Sequence, residues 1–282
     1  MKKILLPVCM AFSLLTTAQQ TDGKAAIVAP ATIKEGKVVY ERVIQMQINI
    51  QGMDESIARQ LPRTRTDNFE LQFGNNKSLW KQLPNVQEEA NTFSSSGGNT
   101  VMIRGGMMGG DDVTFTDFET GKRVDQRELD SKNYLVDDDI QKLSWKLTDD
   151  TKTILGYVAR KAVAQQYTTR NIMSMENGEM KRQQLPDTVS VTAWFTLQVP
   201  VPAGPVFQGQ LPGLVLELDM NKGRTLYKAV EVSPKVNVAG IKEPKGGKRI
   251  TQAEYVKERD KVMEEMRKNM PAGGNFRIRT GS

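Results

Sequence analysis

Gly204-Pro205-Val206-Phe207-Gln208-Gly209-Gln210-Leu211-Pro212-Gly213-Leu214-Val215-Leu216-Glu217-Leu218 is the stretch from which the fold is read. Proline presets φ near −65° and glycine accepts positive φ, so Pro212-Gly213 predicts the central pair of a type II turn. Leu214, Leu216, Leu218 and Met220 then alternate with Val215, Glu217 and Asp219. Period-two alternation predicts a half-buried strand with one apolar face. Asn221-Lys222-Gly223 reads as a hairpin turn into a second strand, Thr225 to Val232. The stretch contains no nucleophile, and its one acid, Glu217, falls on the polar face.

Working outward, strands are expected over Lys37 to Ile48, Asn68 to Phe73, Ser78 to Gln82, Val113 to Phe118, Arg123 to Leu129, Lys132 to Val136 and Val189 to Val199. Turn residues at Gly74-Asn75-Asn76 and Thr120-Gly121-Lys122 separate two of the hairpins. Asp54 to Leu61 suits a short helix. The low-complexity runs Ser94-Ser95-Ser96-Gly97-Gly98 and Arg104-Gly105-Gly106-Met107-Met108-Gly109-Gly110 define a loop over 85–110. Thr251 to Met270 predicts a helix. It opens on the capping box Thr251/Glu254, carries Tyr255, Val262, Met263, Met266 and Met270 on one side, and stops at Pro271. Such a helix is expected to pack on the sheet and cover one opening.

The N-terminus has the pattern of a signal peptide. Lys2 and Lys3 precede the mostly apolar Ile4 to Leu15, and Thr16-Thr17-Ala18 supplies small residues for cleavage near Ala18. The apolar run is too short for a membrane span. The expected organisation is a signal peptide over 1–18, a leader over 19–33 and one β-rich domain over 34–282. The expected location is the periplasm or the cell surface.

The chain has one cysteine, Cys9, inside the signal segment, and no histidine. A mature chain without either excludes disulfides, thiolate nucleophiles, Cys/His zinc sites and Ser-His-Asp catalysis. Formal net charge is +6, and residues 240–282 carry eleven Lys or Arg against six Asp or Glu. That end is suited to touching an anionic surface. Nucleic acid is not an expected partner, because basic residues are not interleaved with aromatic ones.

Several stretches resemble one family of exported bacterial proteins, the GLPGLI family. Gln210-Leu211-Pro212-Gly213-Leu214-Val215 is similar to its signature, with Gln210 for Gly and Val215 for Ile. Leu143 to Ala162 resembles the family's tryptophan strand, polar turn and Gly-Tyr strand, with Ala159 at the usual cysteine. Trp194-Phe195-Thr196 resembles its third conserved strand. The resemblance runs over Lys37 to Val232, interrupted by the glycine-rich loop. It implies a mainly β fold, a single antiparallel, strongly curved sheet shaped as a half-barrel or bowl. Such a bowl is similar to the accessory N-terminal domain of one class of bacterial peptide-N-glycosidases.

No cofactor and no catalytic residue is expected. The leading expectation is a non-enzymatic exported binding or scaffold protein that takes an apolar ligand, peptide or partner protein, the partner being a peptide, a lipid or an envelope protein. Its contact residues would be Trp145, Tyr157, Trp194, Phe195, Phe207, Leu211 and Pro212. One alternative is a Cu(I) carrier using the soft thioethers of Met102, Met107 and Met108. A second is a hydrolase of glycan or cell-wall material working through paired carboxylates. The acidic runs Glu88-Glu89, Asp111-Asp112, Asp137-Asp138-Asp139 and Asp149-Asp150 lack the spacing of a calcium loop.

Overall fold

Hairpins built on residues that tolerate positive φ set the architecture. In a computed structural model that describes residues 33–46, 63–84, 92–94, 100–102, 112–176 and 179–268, β1 (Gly36–Gln45) is followed by β2 (Thr64–Gly74) and β3 (Lys77–Gln82). The β2–β3 turn is Asn75-Asn76, at φ 50° and 58°, the type I′ geometry that matches strand twist. Then come β4 (Thr92–Ser94) and β5 (Thr100–Met102), which pair only with each other, and β6 (Val113–Asp117), β7 (Lys122–Leu129) and β8 (Lys132–Asp139). The second half holds β9 (Lys146–Ile154), β10 (Tyr157–Glu176), β11 (Glu179–Thr196), β12 (Leu214–Met220), β13 (Thr225–Ser233), β14 (Lys248–Thr251) and the helix α1 (Gln252–Lys268). No described helix is long and apolar enough to cross a membrane.

Twelve strands form one open sheet in the order β14-β8-β7-β6-β3-β2-β1-β13-β12-β11-β10-β9. The sheet is mixed where a purely antiparallel one was expected, because β14 runs parallel to β8. The cause lies in the connection after β13. Val236 and Ile241 pack on Phe115, Val124 and Leu135, carrying the chain across that side of the sheet so that it enters β14 in the direction of β8.

Connectivity also forces the sheet to curl. β8 and β9 are second and last in the order, ten strand spacings apart, or about 48 Å along a flat sheet. The segment joining Asp139 to Lys146 reaches at most about 27 Å when fully extended. The two ends of the sheet must therefore approach each other.

The main core lies on one face, where Val38, Tyr40, Phe69, Leu71 and Phe73 meet Ala193, Phe195, Leu216 and Leu218. The buried Tyr40 hydroxyl donates to the Val215 carbonyl at 2.6 Å. Val215 itself is buried, although alternation puts it on the polar face, because the 197–213 loop folds over it. A Cβ on Gly204 would stand 2.6 Å from the Val215 side chain.

Three expectations change. Gly213 does not take positive φ; Val206 and Gly209 do, at 60° and 75°. Gly213 is required instead by closeness, since a Cβ there would lie 2.1 Å from the Thr196 carbonyl oxygen. The polar run Thr148-Asp149-Asp150 is not a turn but the middle of β9, and the chain reverses at Leu155-Gly156. A charged sequence is stable there because β9 is an edge strand, solvated on its open side. Finally, the described part of the apolar side of α1 is not wholly buried on the sheet. Tyr255 is buried against Tyr134, but Met263 is 43% exposed. The capping box forms as expected, with Glu254 accepting from Thr251 N–H at 2.8 Å.

Residues 163–176 and 179–188 carry no period-two apolar pattern, yet they belong to the longest of the described strands. From Gln165↔Ser190 to Glu176↔Glu179, β10 and β11 continue as a two-stranded ribbon past the ends of β9 and β12. The signal segment 1–18, the helix expected at 54–61, the acidic pair Glu88-Glu89 and Met107 and Met108 lie outside the described residues.

Candidate functional site

The approach of the two sheet ends leaves a cleft of about 940 Å³ between them. One wall comes from β6, β7 and β8, through Thr116, Arg123 and Asp138; the other comes from β10 and β11, through Val163 to Tyr167 and Ser190 to Thr192. The crossover 140–144 and the loop residues Val206, Phe207, Gln208 and Gln210 complete it. A cleft of this size with a few convergent polar groups is the usual form of a ligand site.

Two glutamines hold the loop in place. Gln210 Oε1 accepts from Leu143 N–H at 2.8 Å and from the Trp145 indole N–H at 3.0 Å. Its Nε2 donates to the Gln141 carbonyl at 2.8 Å. One side chain thus staples the crossover to the loop. Buried Gln208 accepts from the Ser78 hydroxyl of β3. Gly209 follows in positive φ, and a Cβ on it would meet Ile140 at 2.7 Å.

The β6–β8 wall is polar because of a pattern that apolar periodicity cannot register. Arg123, Asp125 and Arg127 alternate along β7 and share a face. Buried Asp125 accepts from Arg123 Nε at 2.9 Å, Arg127 Nη2 at 2.6 Å and Thr114 Oγ1 at 2.8 Å. Burial pushes this carboxyl up, but the two guanidinium groups and Thr114 outweigh it and hold it below the usual carboxylate range. Asp67 of β2 is arranged alike, between Arg42 and Arg65. The signal was present as Arg-x-Asp at period two. Thr116 is 1% exposed, lines the cleft, and its Oγ1 has no hydrogen-bond partner. A buried polar atom left unpaired is uncommon.

The seven aromatic and loop residues singled out in the sequence divide by burial. Phe195 and Leu211 are 1% and 4% exposed and belong to the core. Trp145, Tyr157, Trp194 and Phe207 are half-buried against it. Of the seven, Phe207 reaches the cleft, with Trp145 edge-on behind it at a centroid distance of 6.0 Å. Trp194 lies under Lys152, whose Nζ is 4.3 Å from the ring centre and pairs with Glu217 at 2.8 Å. Pro212 is exposed.

Asp138 and Asp139 lie on one wall and are consecutive in β8, so they do not face each other across the cleft. Among the described residues no three of His, Cys, Asp and Glu gather as metal ligands would. Of the three loop methionines, Met102 is placed in β5.

A family model described as a protein of unknown function (Porph_ging) matches residues 145–217, the span from Trp145 through the loop to Glu217. Among solved structures the chain is similar to PNGF-II in its P21 and C2 crystal forms. Identity is 15% and 16%, and the TM-scores are 0.48 and 0.49. Each match covers 81% of this chain, but 34% and 33% of that one. The chain therefore spans about a third of those structures, and nothing of their chemistry transfers at this identity. No curated protein matches.

Proposed function

We propose that this chain is an exported, non-enzymatic binding or scaffold protein of the GLPGLI type, with a bowl-shaped sheet that takes a partner in the cleft between its two ends. The cleft of about 940 Å³ carries this reading. Its walls mix amide, hydroxyl and charged groups with Val191, Val206 and Phe207. That lining suits a peptide or a segment of a partner protein better than a wholly apolar ligand. Export is supported by the basic, apolar and small-residue succession over 1–18.

The test compares the protein with a blocked form, Ser190→Trp, by thermal unfolding against pools of peptides, phospholipids and oligosaccharides. A ligand present at about 100 times its Kd stabilises the folded state by about 2.7 kcal/mol. The expected outcome is that one pool raises the Tm of the open form and leaves the blocked form unchanged. If no pool distinguishes the two, the cleft is not a binding site.

A further inference from the structure

Among the described strands, the edges of the large sheet are protected, with one exception. The edge strand β9 carries Lys146, Asp149, Asp150 and Lys152, and its pairing with β10 is bulged between Arg160 and Ala162. The other edge, β14, has four residues and contains Lys248 and Arg249. On the ribbon, the outer edge of β11 contains Pro186 and Asp187. Charges, bulges, proline and shortness are the devices by which natural sheets avoid pairing with other chains.

The edge of β10 just beyond β9, over Ala164 to Thr169, has none of them. Pairing with β9 ends at Val163↔Lys146, while β10 runs on through Ala164-Gln165-Gln166-Tyr167-Thr168-Thr169 with β11 on one side only. Those six residues include no charge, no proline and no bulge, and Tyr and Thr favour extended backbone. Half of their N–H and C=O groups point away from β11, towards no strand among the described residues. Ala164 to Tyr167 also line the cleft, so this edge borders enclosed space. Tyr167 is 80% exposed. A two-stranded ribbon is marginal in water, and a third strand stabilises it.

We infer that the cleft takes its partner as an extended polypeptide strand, added to the free edge of β10 at Ala164 to Thr169. The inference rests on the cleft reading above and names its occupant. Main-chain hydrogen bonds to β10 supply the affinity, and alternate side chains of the added strand meet the opposite wall and supply specificity.

The probe is a library of random ten-residue peptides displayed on phage, selected on the chain from residue 19 onward. The best binder is resynthesised with backbone N-methyl groups on alternate residues, which removes the donors of one edge. The expected result is a loss of about tenfold or more for one alternate set and less for the other. New amide-exchange protection is expected over 164–169. Tyr167→Ala should weaken binding severalfold without lowering Tm, because the side chain is exposed. Neighbouring residues point their N–H groups to opposite edges. Of Gln165→Pro and Gln166→Pro, one should therefore fold and lose binding, and the other should disrupt the ribbon.

Equal affinity for both methylated sets overturns strand addition and leaves the cleft reading intact. A non-peptide ligand that distinguishes the open from the blocked cleft, with no peptide enriched, does the same. A concentration-dependent dimer in place of peptide binding assigns the edge to a second copy and overturns the inference. If nothing distinguishes open from blocked cleft, both readings fall.

Discussion

A Cβ on Gly213 would stand 2.1 Å from the Thr196 carbonyl oxygen, and the atoms it meets are backbone. Neither can give way, because β11 and β12 pair at Thr196↔Leu214. Gly213→Ala should cost about 3 kcal/mol, the upper end of overpacking, read as a lower denaturant midpoint with an unchanged slope. Gln210→Ala removes the acceptor of two N–H groups and should cost about 1–2 kcal/mol, by the same measurement. Asp125 is depressed by its arginines, so its contribution is present above the unfolded carboxyl pKa of about 4 and lost as pH falls through the lower folded value. Asp125→Asn should lower stability by about 2–3 kcal/mol at pH 7. That difference should shrink as the pH is taken from about 4 towards 2, where the wild-type carboxyl is also neutral. A difference independent of pH would show that charge is not what holds the wall.

At the scale of elements, the hairpins were legible because their chemistry is local. Asn75-Asn76 and Asn221-Lys222-Gly223 announce positive φ in their residue types, and the structure has it at each. β12 was legible from alternation for the same reason. The strands that escaped are those whose neighbours do not impose a pattern. The ribbon of β10 and β11 has no apolar face to alternate, and β9 is an edge where charge costs little. α1 is legible as a helix, through its capping box, but not in its attachment. Among its described side chains Tyr255 alone is buried, edge-on to Tyr134 at 5.9 Å and under Arg127 at 5.2 Å. Tyr255→Ala should therefore release the helix without unfolding the sheet. Amide exchange over 252–268 should rise to the rate of a frayed segment, while β1, β2 and β12 keep their protection. Loss of protection across the whole sheet would mean that α1 is part of the cooperative core.

At the scale of the molecule, the curl of the sheet decides where a site can be. It follows from one short crossover, 140–145, joining strands that lie at opposite ends of the sheet order. Because Gln210 fastens that crossover to the loop, the stretch 204–218 both shapes the cleft and lines it: Val206, Phe207, Gln208 and Gln210 line it, and Leu211 is core. The sequence by itself determined the β class, the hairpins, the terminal helix and the absence of histidine and of any cysteine but Cys9, because composition and nearest-neighbour sterics act along the chain. Only the tertiary structure decided strand order, the parallel pairing of β14 and the free edge of β10. Those depend on contacts between residues distant in sequence, whose energies no local pattern records.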